Sequence, residues 1–203
     1  MTVDDVMELA PVIPVLVVDK VSDALPIARA LVAGGLRALE VTLRTEGALD
    51  VIREMSQVEG AVVGAGTVVT PQQLDAVLSA GAKFIVSPGL TEPLCKAVIA
   101  SGTPYLPGVA TAGDIMRGMD LGLNRFKFFP AETSGGIPAL KALAAPFFEA
   151  RFCPTGGITE ASAPDWLAQP FVKCVGGSWV IPKGPVDPAK IEALAKSAAQ
   201  LTP

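Results

Sequence analysis

The sequence predicts an α/β fold of the (β/α)8 TIM-barrel class, and three observations carry that prediction. Short β-rich runs alternate with Ala/Leu-rich amphipathic stretches every 20–25 residues or so along the 203-residue chain, the pattern of repeated strand–helix units. Half of the residues are hydrophobic, which points to strands covered on both faces, as in parallel sheets. The glycine-rich fingerprint that opens a dinucleotide-binding sheet is missing after the first strand, so an open doubly wound sheet ranks second.

The elements follow in order. A short helix is expected near 2–10, then strand 12–18 and helix 22–34, which ends at Gly34-Gly35. Strand 38–43 leads to helix 47–57, and strand 61–66 to helix 71–80, where Thr70-Pro71 supplies a cap and an early-turn proline. Strand 83–87 precedes helix 91–101, opened by Thr91-Glu92-Pro93, and strand 104–107 precedes helix 111–121. Gly81, Gly102 and Gly122 sit where left-handed helix ends are expected. The last three units pair 125–129 with 136–145, 151–155 with 161–168, and 172–176 with 187–201. No linker, repeat or low-complexity tract divides the chain, so residues 1–203 are expected to form one domain.

Composition excludes several function classes. The longest apolar runs, such as Val12 to Val18, are broken by Pro14 and fall short of the roughly 18 residues of a spanning helix, so no membrane span is expected. Asp4, Asp5 and Glu8 are the opposite of a basic signal-peptide start, which argues against export. The net charge of −4 and the lack of a basic tract leave no electrostatic footprint for nucleic acid. Cys95, Cys153 and Cys174 are odd in number and widely spaced, which fits a reducing cytoplasm better than a disulfide framework. The chain has no histidine, which removes Ser–His triads, histidine proton shuttles and most zinc sites. Acid–base work would fall to Glu, Asp, Lys, Tyr or water.

Strand alternation then isolates the reactive candidates. In Leu39-Glu-Val-Thr-Leu-Arg44, Leu39, Val41 and Leu43 share the apolar outer face, so Glu40, Thr42 and Arg44 point inward or to the rim. An inward carboxylate is costly unless paired or functional. In Arg125-Phe-Lys-Phe-Phe129, Phe126 and Phe128 share one face, leaving Arg125, Lys127 and Phe129 on the other. A desolvated lysine is disfavoured as ammonium, which frees a nucleophilic amine. A core lysine neutralised by Glu40 is the structural alternative, and the two roles are compatible. The last two strands run into Pro154-Thr-Gly-Gly-Ile158 and Val175-Gly-Gly-Ser178; in a barrel these loops frequently hold phosphate through backbone N–H groups. Gly64-Ala-Gly-Thr67 and Ser87-Pro-Gly89 are further rim candidates, with Thr67 either a hydroxyl donor or the start of a loop. Pro88 and Pro107 read as loop-shaping residues, Trp166 and Trp179 as packing residues.

These segments carry a family resemblance. Leu39-Glu-Val-Thr-Leu-Arg-Thr45, Val63-Gly-Ala-Gly-Thr67, Ser87-Pro-Gly89, Phe126-Lys-Phe-Phe-Pro-Ala-Glu132, Phe152-Cys-Pro-Thr-Gly-Gly157 and Gly176-Gly-Ser178 resemble the motifs of the 2-keto-3-deoxy-6-phosphogluconate and 4-hydroxy-2-oxoglutarate aldolases. The resemblance implies a class I, Schiff-base aldolase of the Entner–Doudoroff pathway, with no cofactor and no metal, in the form of a homotrimer. It implies that Lys127 is the Schiff-base lysine and Glu40 the acid–base carboxylate. Arg44 and Thr67 would bind the pyruvate carboxylate, Pro88 and Phe129 would line the pocket, and Thr155 would lie near the substrate. Gly156, Gly157, Gly177 and Ser178 fall where the family holds phosphate. The implied small-molecule partners are a phosphorylated 2-keto acid, pyruvate and glyceraldehyde 3-phosphate. One position departs from the pattern: some relatives carry Arg on the first strand where this chain has Val17, so that arginine's contribution to anion binding is absent.

Other functions compete with this expectation. The substrate could instead be 4-hydroxy-2-oxoglutarate or the galactonate epimer of the phosphosugar acid. A phosphosugar isomerase or epimerase with a glutamate base, and a non-catalytic phosphometabolite-binding barrel, are alternatives of different classes.

Overall fold

The computed structural model describes residues 1–202. Its strands are β1 (Val12–Leu16), β2 (Ala38–Thr42), β3 (Val62–Gly66), β4 (Ile85–Val86), β5 (Tyr105–Leu106), β6 (Gly108–Val109), β7 (Arg125–Phe128), β8 (Arg151–Pro154) and β9 (Val175–Gly177). All pairings are parallel: β5-β4-β3-β2-β1-β9 form one run and β6-β7-β8 the other. Two features close these runs into a cylinder. β5 and β6 are halves of one stave interrupted at Pro107, whose carbonyl still accepts from the Lys127 N–H at 2.8 Å. Bridges Phe152↔Val172 and Thr155↔Gly176 join β8 to the β9 segment. The expected strand 104–107 is therefore corrected to two short pieces, because Pro107 has no N–H for the ladder.

Between the staves run α2 (Ala24–Ala33), α3 (Ala48–Met55), α4 (Pro71–Ser79), α5 (Glu92–Ser101), α6 (Ala112–Asp120), α7 (Gly136–Ala144), α8 (Ala163–Leu167) and α9 (Pro188–Ala199). The helix expected to begin at 22 starts as a 3-10 turn, Val21–Asp23. Thr70 caps α4 by accepting from the Gln73 N–H, and Thr111 forms a reciprocal capping box with Asp114. Thr91, expected to cap α5 in the same way, makes no side-chain cap bond; Glu92 and Pro93 open that helix instead. Alternation puts Leu39, Val41, Phe126, Phe128 and Phe152 against the helices in the larger apolar cluster.

The inner residues form a second cluster with a floor. Val6 and Met7 of α1 (Val3–Met7) pack against Ile13, Ala38, Phe84, Val86, Leu106, Cys153 and Cys174 at the N-terminal end of the staves. α1 is shorter than the expected 2–10. Thr2 and Asp5 form its capping box, and ion pairs Arg125–Asp4 (2.6 Å) and Lys173–Glu8 (2.7 Å) pin it across the opening. Arg125 thus leaves the inner face at the start of its strand and serves the floor, while Lys127, one pleat higher, does not.

Candidate active site

β2 and β7 face each other across the cylinder, and the residues that alternation turns inward meet there. Lys127 Nζ lies 3.0 Å from Glu40 Oε1, joining positions 87 apart in sequence, with side chains only 5% and 3% exposed. Two ions so far from water are costly to bury unless each satisfies the other, and removing one strands its partner. Space for the carboxylate comes from a missing side chain: a Cβ on Gly66 would lie 2.3 Å from Glu40 Oε1. Gly64 is bare for the same reason beneath Phe84, and Gly176 beside Thr155 Oγ1. Lys127 Nζ also lies 5.2 Å from the centroid of the Phe129 ring, within cation–π range.

Phe129 carries the site outward to a cavity of about 350 Å3 at the C-terminal ends of the staves. Its wall includes Arg44, Phe129, Thr155, Gly156, Gly157 and Ser178, with Val15, Val17, Ile158 and Gly176 completing it. Arg44 is exposed and makes no ion pair or side-chain hydrogen bond among the described residues, so its planar fork is open to an anion. Thr155 is buried, and Gly156 and Gly157 adopt φ of 104° and 82°, the left-handed turn that glycine enters without strain. Among the described residues the N–H groups of Gly157 and Ile158 donate to no backbone carbonyl, while the Gly156 N–H faces the Gly176 carbonyl in the bridge between Thr155 and Gly176. Successive amides left free in this way form a nest for an anion.

Lys127 and Glu40 lie beyond the lining of this cavity, and three of the expected binding residues do not line it either. Thr67 lies just beyond β3 with φ of 61°, an outlier for a β-branched residue. Pro88 packs its carbonyl against Gly108, where a Cβ would come within 2.2 Å. Gly177 makes room for the ring of Trp179. Val17, in place of the arginine of some relatives, is 48% exposed and forms a wall shared with a larger neighbouring hollow. Sequence reasoning missed the packing role of Gly66 and the presence of Ile158 on the wall. The signal for the first was available: a glycine inside a strand often marks a close approach.

Beneath the ion pair, Cys153 and Cys174 are buried. The Cys174 thiol is pushed well above the usual thiol range, by the Cys153 thiol beside it and then by burial, with the Glu40 charge adding to the effect. Among the described residues no group of three or more His, Cys, Asp or Glu side chains is placed to hold a metal, and no helix is long and apolar enough to cross a membrane.

A closed parallel barrel with a buried amine–carboxylate pair below an anion-ready mouth defines a class, the barrel enzymes whose site lies at the C-terminal ends of the staves. The sequence profile of the KDPG and KHG aldolase family matches residues 3–196. The chain is 60% identical to the 2-dehydro-3-deoxy-phosphogluconate aldolase of Zymomonas mobilis over 97% of its own length and 95% of that protein's. It superimposes with a TM-score of 0.97 on a crystal structure of the Zymomonas mobilis ZM4 aldolase with 3-phosphoglycerate, covering 98% of this chain and 96% of that one at 60% identity. A KDPG aldolase from Legionella pneumophila, solved with pyruvate captured at low pH as a covalent carbinolamine intermediate, gives a TM-score of 0.95 at 43% identity, covering 98% and 99% of the two chains. This protein belongs to the KDPG and KHG aldolase family.

Proposed function

We propose that this chain is a class I aldolase that cleaves 2-dehydro-3-deoxy-6-phosphogluconate to pyruvate and glyceraldehyde 3-phosphate through an imine on Lys127. The observation that carries the reading is the buried 3.0 Å contact between Lys127 Nζ and Glu40 Oε1. Proton transfer within that pair gives an uncharged amine and a carboxylic acid, which suits attack on a carbonyl.

The Lys127 amine adds to the C2 ketone to give a carbinolamine. Loss of water leaves a protonated imine, the electron sink. Glu40, directly or through one water, takes the C4 hydroxyl proton as the C3–C4 bond breaks, and its electron pair flows into the iminium. Glyceraldehyde 3-phosphate departs. The enamine left behind is protonated at C3, and water releases pyruvate and restores the amine. A positioned general base contributes on the order of 10²–10⁴-fold to such a step.

Arg44 and Thr67 are assigned the pyruvate carboxylate, Phe129, Pro88 and Thr155 the pocket around the keto acid, and Gly156, Gly157, Gly177 and Ser178 the phosphate. The open Arg44 guanidinium and the free amides of Gly157 and Ile158 support the two anion assignments. A homotrimer working in the cytoplasm, as the family resemblance implies, completes the proposal.

The test is to incubate the protein with pyruvate and borohydride, then map the adduct by mass spectrometry. Reduction of the imine should fix the three-carbon unit on Lys127 alone. An isomerase using Glu40 as its only reacting group would give no adduct. The family also embraces 4-hydroxy-2-oxoglutarate as substrate. Specificity constants for the phosphorylated and unphosphorylated acids separate the two, since a working phosphate site favours the former.

A further inference from the structure

We infer that Glu132 and Trp166 are positioning residues for phosphate: their hydrogen bond sets the 156–158 turn so that its free amides face the cavity. The inference rests on the reading of that turn as the phosphate holder.

Glu132 closes the Phe126-Lys-Phe-Phe-Pro-Ala-Glu132 motif, and the proposed chemistry leaves it without a role. Its backbone continues the β7–β8 pairing beyond the strands: Ala131 N–H donates to the Thr155 carbonyl at 2.8 Å and Glu132 N–H to the Gly156 carbonyl at 3.1 Å. These bonds turn the carbonyls of 155 and 156 toward the 130–132 loop. Its side chain then fills the space that Gly157 leaves empty, since a Cβ on Gly157 would lie 2.6 Å from Glu132 Cγ and 2.8 Å from Glu132 Cβ. The stem is a shelf under the turn.

The shelf is fixed from the other end. Glu132 Oε1 accepts from Trp166 Nε1 at 3.0 Å. Trp166 is 1% exposed and packs on Phe128 with ring centroids 6.3 Å apart, so the indole is held by the barrel's outer core. The buried indole N–H needs an acceptor, and Glu132 supplies it, so the carboxylate is held at a fixed point. A carboxylate close to an anion site repels the anion unless its charge is directed elsewhere. Glu132 does not line the 350 Å3 cavity; it lines a separate hollow with Ser162, Asp165 and Trp166. The acid therefore acts through Gly157 and not on the substrate.

The experiment compares wild type with Trp166→Phe, Glu132→Ala and Glu132→Gln. Each is assayed with 2-dehydro-3-deoxy-6-phosphogluconate and with unphosphorylated 4-hydroxy-2-oxoglutarate, and inorganic phosphate is tested as inhibitor of the second reaction. Trp166→Phe keeps an aromatic ring but removes the N–H together with the rest of the indole; about a tenfold rise in KM for the phosphorylated acid is expected, one hydrogen bond's worth of geometry, and Glu132→Ala removes the same bond without hollowing the core. Its kcat should stay within twofold, and so should both constants for the unphosphorylated acid. Phosphate inhibition should weaken in parallel. Glu132→Ala should behave likewise, and Glu132→Gln, whose amide oxygen still accepts from the indole, should restore near wild-type values. Equal losses on both substrates would make the pair a structural brace, and unchanged constants would make it idle; either overturns the inference. If wild type itself shows no preference for the phosphorylated acid and no inhibition by phosphate, the phosphate reading of the turn has failed first. Melting curves on all four proteins separate these outcomes from misfolding.

Discussion

Replacing Gly66 by Ala tests the geometry of the site without touching a reacting atom. Gly66 has an ordinary strand backbone, so alanine introduces no φ strain; what it introduces is a methyl group 2.3 Å from Glu40 Oε1 and 2.7 Å from Glu40 Cγ. Ordinary contact needs about 3.4 Å or more, so the carboxylate must retreat by roughly 1 Å. That displacement is enough to break its 3.0 Å bond to Lys127. Overpacking of this kind costs about 1–3 kcal/mol of stability, a fall in melting temperature of roughly 2–12 °C for a chain of this size. The fold should survive. A misplacement of about 1 Å costs on the order of 10²-fold in rate, and kcat for pyruvate formation should drop by at least that factor. Pyruvate release is followed by a coupled NADH assay, and folding by near-ultraviolet circular dichroism. A well-folded Gly66→Ala protein with kcat within threefold of wild type would refute the claim that Glu40 must sit where it does.

Other perturbations probe separate parts. Lys127→Met should abolish borohydride trapping and turnover, and leaves Glu40 buried alone at a cost of about 3–5 kcal/mol; adding Glu40→Gln should recover part of that stability, and two independent, additive losses in chemical denaturation would contradict the pairing. Arg44→Ala should raise the KM for pyruvate in the exchange of its methyl protons by about tenfold or more while leaving the melting temperature within a degree or two, because the exposed guanidinium has no protein partner to lose. Met7→Ala should cost about 2–5 kcal/mol by hollowing the barrel floor, with kcat unchanged; a stability loss under 1 kcal/mol would show that α1 merely rests there. Burial pushes both the Cys95 thiol and the Tyr105 hydroxyl upward. The folded state therefore holds these protons more tightly than the unfolded chain does. Their contribution is complete below the ordinary thiol and phenol ranges and is lost as pH rises through about 9–10 and above. Melting temperatures from pH 7 to 10.5 should be flat, then fall, and Cys95→Ala with Tyr105→Phe should fall less steeply.

The strand phase of two segments carried most of what was legible. Once Leu39 and Val41, or Phe126 and Phe128, are assigned to the helix side, Glu40 and Lys127 have to face the axis, whichever residues lie between them. Helix ends were legible where the chemistry is local, as at Thr70 and Thr111. Thr91 shows the limit: a threonine before Glu-Pro reads as a cap, yet its hydroxyl makes no bond there. Pro107 reads as a loop-shaping residue at the end of strand 104–107, and only the register shows the same stave continuing beyond it. Gly66, a glycine inside a strand, signalled a close approach but not its partner, and the role of Trp166 lay beyond local reasoning. Their roles depend on which side chain arrives from another strand, and no periodicity encodes that.

With its floor shut by α1 and the two ion pairs that hold it, the cylinder opens on the side of the glycine turns. On the proposed reading, a group tethered to Lys127 would lie deeper along the axis than one held by the amides of the glycine turn. On the proposed chemistry traffic would then be sequential: the phosphorylated aldehyde, nearest the exit, would vacate before the three-carbon remnant, and in the synthetic direction pyruvate would enter first.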